Sequence, residues 1–211
     1  MKRSMLAMLF WVLAGSAAAQ DSLMPADAKI EGMTQGELSV RWWQWAGSFR
    51  YADSPVADRT GEKCGAGQDG PIWFLAGTYG SSVTKRTCRV PSEKYLFFPI
   101  INYVVTPNPS CPGCLDCRGA TASAKETTDN PTVLFAELDG QSLGNLKNRR
   151  YASPACFNLA GKIFGSAAIE PSAANGYYLL LKPLAKGTHT LRFGAELPSL
   201  RQGLDYTLIV E

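Results

Sequence analysis

Leu38, Trp42, Trp45 and Phe49 recur at spacings of four, three and four residues, which brings them onto one face of a helix. Thr34 stands just ahead, with Glu37 three positions on, the pair that caps a helix start reciprocally. A helix over about 35–49 is therefore predicted, with Trp43 flanking its apolar face. Downstream the period changes. Ile72 to Ala76 is a short continuous apolar run, the pattern of a strand covered on both faces. Val83 to Val90 mixes β-branched and basic residues, as a partly exposed strand does. Tyr95 to Val105 is apolar again, and Pro99 within it removes a ladder donor, which predicts an edge position or a bulge.

The second half alternates. Val133, Phe135, Glu137 and Asp139 share one face of a strand that ends in the turn pair Asp139-Gly140. Tyr177 to Leu181 reads as a buried strand and Pro183 to Gly187 as a turn. His189, Leu191 and Phe193 then face one way, and Thr188, Thr190 and Arg192 the other. Tyr206, Leu208 and Val210 close the chain with the same period. Irregular loops are expected at about 52–70 and 106–131, where Gly, Pro, Asp and Ser replace any hydrophobic period. Short strands between turns predict a mainly β fold: an antiparallel β-sandwich, immunoglobulin-like or jelly-roll-like, with one N-terminal amphipathic helix.

Composition adds the compartment. Lys2 and Arg3 precede an apolar run from Met5 to Ala14 and the small residues Ala17 to Ala19, the order of a secretory signal peptide spanning 1–19. The apolar run is too short for a membrane span. Residues 20–211 then form a single domain. Removing Lys2 and Arg3 with the leader takes the formal net charge from +3 to +1. A near-neutral body carries no nucleic-acid footprint and no polybasic membrane surface. All six cysteines follow the leader, and an exported, oxidising compartment favours disulfides.

Three segments resemble a group of exported bacterial proteins: Trp42-Trp43-Gln44-Trp45, the run Ile72 to Gly77, and Arg86-Thr87-Cys88-Arg89-Val90-Pro91 with Leu96-Phe97-Phe98-Pro99-Ile100-Ile101-Asn102. The resemblance spans most of the body and implies no activity. The tail, Gly187 to Leu191 with Tyr206 to Leu208, is similar to the last hairpin of immunoglobulin-like domains, which bears on fold alone.

The chemistry-bearing residues are few. Cys64 and Cys88 bracket one turn-strand unit and are expected to bridge. Cys111, Cys114 and Cys117 have the spacing C-x-x-C-x-x-C, with Cys156 as fourth partner. Two disulfides among these four are expected, with Cys111 or Cys117 reaching Cys156. The same thiols also suit a metal site or redox exchange. Gly65, Gly67 and Gly70 match a dinucleotide fingerprint, but a loop precedes them and Pro71 with a strand follows, so no phosphate site is expected. His189 is the single histidine, and its phase places it among packed residues. No H-E-x-x-H motif occurs. Asp58, with Thr60, Gly61 and Glu62, offers oxygens of the kind calcium takes, without the EF-hand pattern. Trp43 is the ring most suited to stacking on a ligand, and Arg86, Arg89 and Asn102 are the polar groups best placed to line a pocket mouth. No cofactor is expected. The function this points to is an exported, non-catalytic binding or structural protein for an unidentified ligand or protein partner. The alternative is an extracytoplasmic enzyme, either a carboxylate-based hydrolase or a thiol-based redox or metal protein using Cys111 to Cys117.

Overall fold

The computed structural model describes residues 21–79, 83–108, 110–111, 113–159, 161–162, 165, 169–198 and 200–211. The leader expected at 1–19 lies outside the described residues. Among the described residues the fold is mainly β, with two mixed sheets, the two helices detailed below and three disulfides.

Helix α1 (Gln35–Gly47) begins at the expected capping box. The Thr34 side chain accepts from Glu37 N at 3.3 Å, and Glu37 returns an oxygen to Thr34 N at 2.7 Å. The helix ends two residues before Phe49, where the Ser48 N–H and hydroxyl both turn back onto the Trp45 carbonyl. The strands are β1 (Ile72–Phe74), β2 (Val83–Val90), β3 (Tyr95–Val105), β4 (Val133–Leu138), β5 (Gln141–Ser142), β6 (Arg150–Ala152), β7 (Ala173–Leu181), β8 (Gly187–Leu197) and β9 (Leu200–Val210). Their orders are β1-β3-β7-β6 in one sheet and β2-β9-β8-β4-β5 in the other.

The purely antiparallel expectation is corrected by two pairs. β1 runs parallel to β3, and β2 runs parallel to β9 across its whole length. The physical reason is that β2 lies between β1 and β3 in the chain but in the other sheet, so the chain returns to the first sheet in its original direction. Pro99 is accommodated by a register shift between Pro99 and Ile101 where β3 meets β7, so the bulge is the device used.

The first sheet explains the unbroken apolar runs. One face, with Leu96, Phe98, Ile100, Leu179 and Leu181, packs on Val90, Leu191, Phe193, Tyr206 and Leu208 of the second sheet. Its other face, with Ile72, Phe74, Phe97, Tyr178 and Leu180, packs on Leu38, Trp42 and Trp45 of α1. Both faces are covered, so both positions of each strand must be apolar. The second sheet has one covered face, and β2 accordingly alternates exposed and buried residues along its length.

A second helix, α2 (Cys117–Thr127), forms inside the segment expected to be irregular. Asp116 caps it by accepting from Gly119 N at 2.7 Å. Only Ala120 and Ala124 of this helix are buried, so small residues do the packing and no hydrophobic period announces it. Its anchor is polar. Arg150 bonds the Asp129 carboxylate, the Lys125 carbonyl and the Thr128 hydroxyl, and donates to Asn175 Oδ1 at 2.8 Å. The chain ahead of α1 is laced to the first sheet, where Met24 N donates to Leu180 O and Lys182 N to Ser22 O.

Candidate functional site

The sequence candidates fall into two places and do not converge on one centre. Asp58 and Arg86 meet. The Arg86 side chain is buried and donates from Nε to the Asp58 carbonyl at 2.8 Å and from Nη2 to the Val56 carbonyl at 3.0 Å. Its Nη1 reaches the carbonyls of Ala76 and Gly77, both at 2.9 Å, and the Tyr206 hydroxyl at 2.8 Å. Arg86 thus ties the long loop, the end of β1 and β9 together, and its donors are used in doing so.

Asp58 organises the loop from within. Its carboxylate accepts from Thr60 N and Oγ1, both at 2.8 Å, and from Gly61 N and Lys63 N, both at 2.9 Å. Partial burial pulls the carboxyl pKa up, but the hydrogen bonds from Lys63, Thr60 and Gly61 outweigh it and hold the group below its ordinary value. The Asp58 oxygens considered for calcium are therefore satisfied by the loop itself. Gly61, at φ +94°, lies against β2 so closely that a Cβ there would sit 2.2 Å from the Thr87 carbonyl oxygen, and only glycine fits. The Cys64–Cys88 disulfide fixes the same loop to the same strand.

Trp43 and Asn102 lie on the far side of the first sheet. Trp43 Nε1 donates to the Tyr178 hydroxyl at 3.1 Å, and its ring meets Trp42 edge to face at 5.1 Å. Burial pushes the Tyr178 phenol well up. Asn102 sits in register opposite Gly176, whose missing side chain admits the Asn102 backbone. The Asn102 Nδ2 atom is buried without a hydrogen-bond partner.

Arg89 is different. It is exposed on the outer face of the second sheet, pairs with Glu211 at 3.0 Å, and lines a hollow of about 530 Å³ with Glu62, Cys64, Gly65 and Ile209. A second hollow of about 340 Å³ opens beside it, lined by Lys85, Thr190, Arg192, Asp205 and Thr207. Thr60 and Thr87 belong to both, so the two form one concave stretch with the loop from Thr60 to Gly65 as its wall.

Register organises this face. Lys85, Asp205, Arg192 and Glu137 occupy one row across β2, β9, β8 and β4, with alternating charge. Arg192 bonds Asp205 at 3.1 Å and Glu137 at 3.3 Å. The next row is Thr87, Thr207 and Thr190. Neighbouring strands lie about 4.8 Å apart, so these positions line up over roughly 10 Å. Sequence alternation identifies the outward residues of each strand. It carries no register, and so the rows stay hidden in it.

Sequence reasoning also missed an aromatic pair. Tyr51, in a short 3₁₀ turn, and Tyr79 stack at 5.9 Å, and both are exposed. Burial on its inner side raises the Tyr79 hydroxyl to about 12.

The remaining reactive groups are engaged. Cys64 pairs with Cys88, Cys111 with Cys114, and Cys117 with Cys156, as expected for Cys64 and for Cys156. The four sulfurs of the metal or redox alternative are thereby bonded to one another in pairs. His189 holds Asp139 through Nδ1 at 2.7 Å and the Ala185 carbonyl through Nε2 at 2.9 Å. Among the described residues no helix is long and apolar enough to cross a membrane. No protein family, curated protein or solved structure matches the chain.

Proposed function

We propose that the chain is an exported, non-catalytic binding module that takes a hydrophilic, hydroxyl-rich ligand, a glycan, on the outer face of its second sheet. The observation carrying this reading is the row of Thr87, Thr207 and Thr190 set beside a charged row, under the wall from Thr60 to Gly65. Hydroxyls both donate and accept, as sugar hydroxyls do. Lys85, Arg89 and Arg192 on this face are matched in number by Glu137, Asp205 and Glu211, so the surface attracts neither a polyanion nor a lipid headgroup by net charge.

In this reading the two sheets are a β-sandwich, supported by the core they share. Export is supported by the three disulfides and by the leader-like sequence at 1–19. The site is preorganised: Arg86 and Asp58 shape the wall, and the Cys64–Cys88 bridge pins it, so little ordering is left for binding to supply.

The test is a microarray of soluble plant, fungal and bacterial-wall oligosaccharides, read with the exported chain and with a Thr87→Val, Thr207→Val double variant. Binding by the parent and at least a tenfold loss in the variant is the expected result. Equal binding by the two would move the ligand elsewhere on the protein.

A further inference from the structure

Both ring nitrogens of His189 face oxygen acceptors. Nδ1 lies 2.7 Å from Asp139 Oδ2, and Nε2 lies 2.9 Å from the Ala185 carbonyl. A neutral imidazole has one N–H and one lone pair, so it can donate to only one of the two. Only the imidazolium satisfies both. The two acceptors belong to different parts of the fold. Asp139 opens the turn between β4 and β5, with φ +50° and Gly140 at +75° behind it. Ala185 lies in the crossing from β7 in the first sheet to β8 in the second.

Asp139 is also held independently of the ring. Its Oδ1 accepts from Thr190 N at 2.7 Å, and its own N–H donates to the Thr190 carbonyl at 2.8 Å, which extends the β4–β8 ladder by one step. Asp139 is the charged group that faces the ring from the turn. β9 presents Leu208 in register, and the crossing presents the Ala185 carbonyl, between Leu184 and Lys186.

We propose that His189 is a proton-operated latch: as imidazolium it ties the β7–β8 crossing to the β4–β5 turn, and on losing its proton it keeps Asp139 and releases Ala185. The direction of release follows from bond strength. A hydrogen bond to a carboxylate is stronger than one to a neutral carbonyl, so the remaining proton stays on Nδ1 and the Nε2 lone pair then opposes the Ala185 oxygen. Partial burial acts against the charged ring, but the bonds to Asp139 and Ala185 outweigh it and raise the pKa above the ordinary imidazole value. The latch is therefore closed below that elevated value and opens as pH rises through it.

The chain has one histidine, so its ring gives a single set of NMR signals. In a pH titration of the exported protein, the ring is expected to titrate above the ordinary imidazole value. The amides of Leu184, Ala185 and Lys186 should shift with the same midpoint, and the Thr190 amide should keep its protection from hydrogen exchange across it. His189→Gln should abolish the shifts at residues 184–186, and Asp139→Asn should lower the ring midpoint. Fixed amides at 184–186 through the ring titration, or loss of exchange protection at the Thr190 amide with the same midpoint, would overturn the latch.

Discussion

Arg86 Nη1 donates to the Tyr206 hydroxyl at 2.8 Å, and that hydroxyl donates in turn to the Ala76 carbonyl at 2.9 Å. Loop, strand and neighbouring strand are joined by one guanidinium whose partners are all neutral oxygens. Replacing Arg86 with Met strands several buried acceptors at once. Each buried group left unpaired costs about 1–3 kcal/mol, so a loss of at least about 3 kcal/mol is expected. Tyr206→Phe removes one link and leaves Arg86 its carbonyls, so its cost should be clearly smaller. Urea denaturation of the two variants checks the order, and equal losses would contradict the hub.

Asp58 gives the loop an acid-sensitive lock. Its folded pKa is depressed by the loop amides, so its contribution is present above the unfolded carboxyl value and is lost as pH falls through the folded one. Asp58→Asn should be destabilised near neutrality, and its deficit relative to the parent should shrink as pH falls through and below the ordinary carboxyl range. Denaturation midpoints across that range decide it. A deficit that does not change with pH would place the effect in shape alone.

Trp45 is buried against Phe49 and Phe74 and donates from Nε1 to the Ala66 carbonyl at 2.9 Å. Trp45→Ala is expected to cost roughly 3–5 kcal/mol. A change within about 0.5 kcal/mol in chemical denaturation would mean the helix does not dock through this ring.

The disulfides should rank by the loop each closes. The sequence separations are 39 for Cys117–Cys156, 24 for Cys64–Cys88 and 3 for Cys111–Cys114. Chain entropy alone gives contributions of about 4, about 3.5 and about 2 kcal/mol. Paired Cys→Ser variants measured by thermal unfolding should fall in that order. A Cys111–Cys114 knockout as damaging as the other two would require a role beyond loop closure.

The elements with a strong period were legible in the sequence. Leu38, Trp42 and Trp45 announced α1, and the continuous run at Ile72 announced a strand buried on both faces. Pro99 announced an edge position or a bulge, and the bulge is what forms. The alanine-faced helix α2 was not legible, because Ala120 and Ala124 give no hydrophobic contrast and Arg150, distant in sequence, supplies the anchor. The parallel pairing of β2 with β9 was equally hidden, since strand direction depends on which sheet the chain enters next. The candidate residues were legible by type and not by role. Arg86 and Asp58 hold the loop from Thr60 to Gly65, Arg89 lines the hollow beside it, and Trp43 bonds Tyr178.

The central claim is that the outer face of the second sheet is the ligand surface. Its most direct test is amide chemical-shift mapping of the exported protein titrated with the best-binding oligosaccharide of the array. The account predicts shifts concentrated at Lys85, Thr87, Arg89, Thr190, Thr207 and the wall from Thr60 to Gly65. Shifts centred on Tyr51 and Tyr79, or around Trp43 and Asn102, with the threonine row unmoved, would contradict it.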